Sequence, residues 1–175
     1  AFRLTYPEKE MSYLVVDAYS GGKAEVIGDR NMIVGYSTAN HGGVTENFRN
    51  WFVVVSDTPF ETQTVDGHIA MVGFKTVKGQ KVNLKVASSF ISQEQAELNL
   101  NELSGRSFDE IAEAGRARWN EVLGRIAVED DNLDNLRTFY SCLYRSVLFP
   151  RDLSEINADG ERVHYSPYDG AVHKG

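Results

Sequence analysis

"QKVNLKVASSFISQEQAELNL", residues 80–100, changes its period part-way along. In its first half Val82, Leu84 and Val86 alternate with Lys81, Asn83 and Lys85, the pattern of a strand with one buried and one wet face. From Ser92 the spacing becomes helical. Ser92 and Gln95 fit a capping box, and Ala96, Leu100 and Leu103 follow at intervals of three and four. A β region therefore gives way to helices near residue 91.

Upstream of this switch the chain reads as β. It opens on "AFRLTYPEKE" with strand-like alternation already under way, as in a chain cut at both ends. "SYLVVDAY", "KAEVIGD", "NMIVGYST", "NWFVVVSD" and "HIAMVGFKT" are short, rich in β-branched and aromatic residues, and bounded by turn residues. The breaks at Asp29–Asn31 and Lys78–Gly79 predict hairpins. Six or more such strands before residue 91 predict an antiparallel β-sandwich.

Downstream, Gly105 stops the first helix, and Ser107 with Glu110 starts a second. Phe108, Ile111, Gly115, Trp119, Val122 and Ile126 form its stripe. A third helix lies in "DNLDNLRTFYSCLYRSVLFPR", residues 131–151, capped by Asp131 or Asn132. Its apolar positions, Leu133, Leu136, Phe139, Tyr140, Leu143, Tyr144, Val147 and Leu148, make a face wider than a helix on a sheet needs. That face predicts a helix buried on two sides, with most of its partners beyond Gly175. The expected organisation is a sandwich over 1–91, linker helices over 92–130, and the incomplete start of a helical domain over 131–175. An unfinished apolar face also predicts self-association or an obligate partner.

The 175 residues carry a formal net charge of −7 and no clustered Lys or Arg. Nucleic acid and anionic membranes both need a basic footprint, so neither is an expected partner. No apolar run is long enough to span a membrane. One cysteine, Cys142, excludes an internal disulfide, and its place between aromatic helix neighbours predicts a buried, inert thiol. There is no Asn-x-Ser/Thr sequon.

Motifs for chemistry are scarce. Asp130, Asn132 and Asp134 alternate as in a calcium loop, but Asn135 and Ser141 stand where the pattern needs Gly and Glu. Helix capping explains those acids instead. His41, His68, His164 and His173 have no metal-ligand spacing with one another or with Cys142. No nucleophile elbow, Walker loop or dinucleotide fingerprint occurs. The glycines of "YSGGKAEVIG" precede a strand, so they do not make a phosphate cradle at a helix start.

Two loops stand out. "STANHGGVTENFRNW", residues 37–51, is long and polar, with paired glycines, aromatics and amides. Its Asn40, His41, Gly42, Gly43, Asn47 and Trp51 are the candidate substrate-binding residues, because a sugar ring needs hydroxyl partners and a flat apolar face. A merely structural loop fits the same composition. In "FPRDLSEINADGERVHYSPYDGAVHKG", Asn157–Gly160 predicts a hairpin turn and "YSPYDG" another. Arg151, just past the helix end, could bind a carboxylate, a helix C-terminus or substrate, and of these a structural pairing is expected.

"ASSFIS", "EQAELNL", "NLDNLRTFYSCLYRSVLFPR" and "YSPYDG" together closely resemble glycoside hydrolase family 92 along essentially the whole chain. These are bacterial exo-acting α-mannosidases, common in gut Bacteroidetes. The resemblance implies an N-terminal β-sandwich, linker helices and the first helix of an (α/α)6 barrel truncated here. It implies calcium-dependent, inverting release of mannose from α-mannosides, α-1,2-linked and of N-glycan type. Inversion uses one carboxylic acid on the leaving oxygen and a second carboxylate that activates water. The family's acid, base and calcium ligands lie downstream of this chain, so no catalytic or metal residue is expected within it and the chain alone should be inactive. The implied partners are a mannose-containing glycan and the remainder of its own catalytic domain; the implied address is periplasmic, cell-surface or secreted. The competing readings are a carbohydrate-binding sandwich and a purely structural one.

Overall fold

The computed structural model describes all 175 residues, which form two compact units, Ala1–Phe108 with Ser154–Gly175, and Asp109–Leu153. The division differs from the expected boundaries at 91 and 130, because residues after Leu153 group with the sandwich.

The first unit contains β1 (Phe2–Tyr6), β2 (Lys9–Asp17), β3 (Lys23–Ile27), β4 (Met32–Ser37), β5 (Asn50–Ser56), β6 (Thr62–Asp66), β7 (Ile69–Thr76) and β8 (Gln80–Ser89). One antiparallel sheet has the order β1-β8-β5-β4-β3 and the other β2-β7-β6. Alternate residues of the facing strands meet in the core: Ile33, Val54, Val82 and Leu84 from the larger sheet, and Ala70, Val72 and Phe74 from the smaller. The fold is thus mostly antiparallel β followed by a few helices, as expected. Strand β6 was not anticipated; its TQTVD sequence is exposed at every position and has no apolar alternation to reveal it.

The turn at Lys78–Gly79 is tight but is not a hairpin. It carries the chain from β7 in one sheet to β8 in the other. Gly79 N–H donates to Tyr6 O at 3.0 Å, which aligns the new strand beside β1. The buried Thr76 hydroxyl donates to Pro7 O at 2.8 Å and lies 2.8 Å from Ser12 Oγ, so the crossing leaves no bare polar atom there.

Helix α1 (Gln93–Leu100) starts where Ser92 accepts a hydrogen bond from Gln95 N–H, as its sequence predicts. Fully buried Ala96 covers Met32, Val34 and Val53 on the outer face of the larger sheet. The opposite edge of the helix is polar yet partly buried. Gln95 Nε2 donates to Asn99 Oδ1 at 2.9 Å and Ile156 O at 2.8 Å, so its burial is compensated. Lys85, expected to be wet, donates to Leu103 O at 2.8 Å.

The second unit holds nearly all of α2 (Phe108–Leu123) and the whole of α3 (Leu133–Ser146). Asn132 is the cap of α3, accepting from Asp134 N–H at 2.9 Å. Trp119 and Tyr144 bring their rings to 4.6 Å, and Tyr140 donates to Ile126 O at 3.2 Å. No residue of either helix is buried. The wide face of α3 is therefore open within these 175 residues. Cys142 is exposed, which corrects the expectation of a buried thiol: its aromatic neighbours in sequence do not close over it.

The tail supplies β9 (Glu155–Ile156), β10 (Arg162–Tyr165) and β11 (Val172–Lys174), an antiparallel sheet of order β11-β10-β9. Both turns expected there are present. Glu155 fastens it to the end of β8 and to α1: one carboxylate oxygen accepts from Phe90 N–H at 3.0 Å and the other from Asn99 Nδ2 at 2.6 Å.

Candidate functional site

The loops that leave β2, β4, β6 and β8 gather at one end of the sandwich. Ala18 N–H donates to His68 O at 2.9 Å and Ala24 N–H to Gly67 O, joining the β2–β3 loop to the β6–β7 turn. The loop between β4 and β5, residues 38–49, is held from below by its own side chains. Asn40 Nδ2 donates to Thr38 O at 2.9 Å while its Oδ1 accepts Gly42 N–H at 2.7 Å. Asn40 therefore shapes the turn that displays His41, Gly42 and Gly43. All three are exposed, and open space surrounds both glycines.

Asn47 points elsewhere. Its Nδ2 donates to Gly170 O at 2.8 Å, and its Oδ1 accepts from Tyr165 OH at 3.2 Å. Thr45 Oγ1 lies 2.6 Å from the same Tyr165 hydroxyl. Phe48 packs its ring 5.7 Å from Phe90 and 6.1 Å from Tyr165. Loop 38–49 and the "YSPYDG" turn are thus one assembly. Gly170 has φ +71°, and a Cβ there would meet Asn47 Oδ1 at 2.4 Å, so two separate constraints select glycine.

Trp51 does not join the displayed group. It belongs to β5, edge-on to Tyr36 with ring centroids 4.8 Å apart, and packs with the cluster beneath α1. Of the six candidates, His41, Gly42 and Gly43 are displayed, Asn40 and Asn47 shape the loop, and Trp51 supports the sheet.

Asp169 and His173 complete this end, and the site reading of the sequence missed both. The only signal was the "YSPYDG" segment itself, which carries a turn acid but no catalytic spacing. Asp169 accepts Ala171 N–H at 3.0 Å and faces His173 Nε2 at 2.8 Å. The backbone donor of Ala171, then the Ser166 hydroxyl and His173, lower its carboxyl to about 2. A depressed folded-state pKa stabilises the turn above the ordinary carboxylate range, and that contribution disappears as pH falls through the folded value. A carboxyl-carbon NMR titration should therefore show Asp169 still ionised at pH 3. A midpoint near 4 would break this description of the turn.

The residues present do not fit a calcium site. No three His, Cys, Asp or Glu side chains gather to hold a metal. In the acidic stretch, Asp130 accepts Asn132 N–H at 2.7 Å and Asn135 Nδ2 at 3.0 Å, bonds that shape the start of α3. Arg151 lies 4.9 Å over the ring of Phe149, a local structural pairing. At the other end of β5, a cavity of about 320 Å³ is lined by Arg3, Asp57, Asn83, Lys85, Arg106 and Phe108 among others. It lies far along the strand from the displayed loop.

Residues 95–175 match the sequence profile of the Glycosyl hydrolase family 92 catalytic domain. That stretch, the helices and the tail, is similar to the start of the family's catalytic domain. The family 92 likeness extends through the sandwich: 99% of the chain superposes on an inverting mannosidase of the family from Bacteroides thetaiotaomicron, at 38% identity and a TM-score of 0.90. A family 92 α-mannosidase from the same organism shares the fold at a TM-score of 0.77 and 23% identity, again over 99% of this chain. An "uncharacterized secreted glycosidase" of Arthroderma benhamiae is 32% identical over 82 residues, 44% of this chain and 11% of that protein. The chain spans about a quarter of the two solved mannosidases, 26% of each. No helix is long and apolar enough to cross a membrane.

Proposed function

We propose that this chain is the sandwich and first helices of an exported α-mannosidase that removes mannose from α-mannosides with inversion. The observation that carries the reading is the 99% overlap with a family 92 inverting mannosidase at a TM-score of 0.90. Loop 38–49, fastened to the 166–170 turn, is the part of this chain that meets the glycan. Its exposed His41 and open glycines leave room for a ring and its hydroxyls.

The chain's own chemistry supports a binding rather than a proton-transfer role. A general acid needs a carboxyl kept protonated by an apolar setting. Asp169 has the opposite setting, since its three donors keep it ionised. Glu155 has both oxygens engaged by Phe90 N–H and Asn99. The acid and base of the reaction are assigned to residues outside these 175, as the family resemblance implies. Calcium, implied by the family resemblance, likewise calls for ligands outside them.

The test compares the complete enzyme containing this chain with the chain alone. Mannose release from an α-1,2-linked mannobiose should come from the complete enzyme only, and a calcium chelator should abolish it. In the complete enzyme His41→Ala should reduce kcat/KM, on the order of tenfold for a lost sugar hydrogen bond. Release by the chain alone would overturn the assignment of the catalytic groups. Silence from the complete enzyme would favour a carbohydrate-binding or structural sandwich.

A further inference from the structure

Tyr19 stands out in the loop from β2 to β3. It adopts φ +63°, a left-handed conformation that a bulky side chain keeps only when its surroundings impose it. It is nonetheless 64% exposed, so the burial of its ring does not provide the reason. The backbone around it does. Tyr19 N–H donates to Asp17 Oδ1 at 2.8 Å, and Gly22 N–H closes a turn onto Tyr19 O at 2.9 Å. Gly21 takes φ +84° against Thr38, where an added Cβ would lie 2.7 Å from Oγ1. At Gly22 a Cβ would lie 2.4 Å from Ala18 O and 2.6 Å from Tyr36 O.

The turn is therefore fixed on both sides and seated on Thr38, the first residue of the loop that displays His41. It holds a flat phenol ring in solvent, beside that loop, at a backbone cost that an ordinary surface tyrosine does not carry. A rigidly held, exposed aromatic face suits the apolar face of a pyranose, and rigidity reduces the ordering cost of binding.

We infer that Tyr19 is the stacking platform of an outer sugar subsite, taking a ring of the glycan beyond the mannose that is released. This rests on the mannosidase reading above and extends it from the reacting sugar to the rest of the glycan.

The test uses the complete enzyme with two substrates, a nitrophenyl α-mannoside that offers one sugar and an α-mannotriose that also offers the outer rings. Tyr19→Asn is the informative variant, because Asn accepts the left-handed conformation and should keep or raise the unfolding temperature. It should lower the ratio of kcat/KM for mannotriose to that for the aryl mannoside about tenfold, through KM, the amount a lost aromatic contact represents. Tyr19→Phe should keep that ratio within about twofold, since stacking needs the ring and not the hydroxyl. An unchanged ratio in Tyr19→Asn, or an equal loss in Tyr19→Phe, overturns the inference. So does a Tyr19 phenol in the complete enzyme that resists acetylimidazole, because another segment then covers it. If the wild-type enzyme hydrolyses neither substrate, the mannosidase reading falls on its own, and calorimetric titration with mannotriose decides this one. Binding weakened by Tyr19→Asn would sustain the subsite, and binding insensitive to it or absent would end it.

Discussion

Phe74→Ala is expected to remove about 3–5 kcal/mol of folding stability, the range for deleting a buried aromatic side chain. Phe74 is wholly buried at the middle of β7, where the two sheets face each other. Its ring lies 6.0 Å from Tyr6 and 5.8 Å from Phe60, so three aromatics from separate strands and a loop share the space it fills. The pairing of β1 with β8 holds Tyr6 in register, which limits how far it can collapse into the cavity. Single domains are stable by only about 5–15 kcal/mol, so the loss is a large part of the total. Urea unfolding should show a much lower midpoint, or no native baseline. Val77→Ala, at an exposed position, should stay within about 0.5 kcal/mol of the parent. Comparable losses in the two variants would mean that the core is not centred on Phe74.

Gly170→Ala should have the largest effect at the candidate site. Alanine in the left-handed region costs about 1–2 kcal/mol. The new Cβ would also displace the Asn47 side chain, removing a hydrogen bond of about 1 kcal/mol and loosening its link to Tyr165. The expected loss is about 2–3 kcal/mol, confined to one end of the molecule. Hydrogen exchange should rise in residues 38–49 and 165–173 while the amides of β5 and β8 stay protected. On the mannosidase reading proposed above, mannoside turnover by the complete enzyme should fall with it. Unchanged exchange in loop 38–49 would show that the turn does not organise that loop.

The sandwich was legible because its strands obey the period of two that one buried face imposes. Val82, Leu84 and Val86 sit on the inner side of β8, as their alternation requires. Ser92 was legible as a cap because the chemistry is local. The unseen elements lacked a local signal. Strand β6 is polar throughout, and what makes it a strand is the neighbouring β7. Lys78–Gly79 shows its turn chemistry in sequence, but which sheet the next strand joins depends on pairing with β1. Cys142 was misread because apolar neighbours on a helix imply burial only when another element covers them.

At the candidate site, composition found the loop and could not sort its residues. Asn40, Asn47 and His41 look alike as polar loop residues. One shapes a turn, one grips Gly170 and one faces solvent. Trp51 closes the stretch 37–51 in sequence, but it stands in β5 against Tyr36. The contribution of residues 165–173 could not be read from the loop at all, because the contact that joins them crosses most of the chain.

That long-range contact governs the order in which the protein can be made. Thr45 and Tyr165 are 120 positions apart, and Asn47 and Gly170 are 123. On the ribosome, β1 to β8 and α1 emerge with all their mutual partners well before either residue of the closing turn exists. Loop 38–49 must wait, without its hydrogen bonds to Tyr165 and Gly170, until the whole of α2 and α3 has been synthesised and β9 to β11 has returned. Synthesis at about 5–20 residues per second makes that interval several seconds. A nascent chain released in that interval would carry a finished core and an unfinished rim, vulnerable to proteases at one end only.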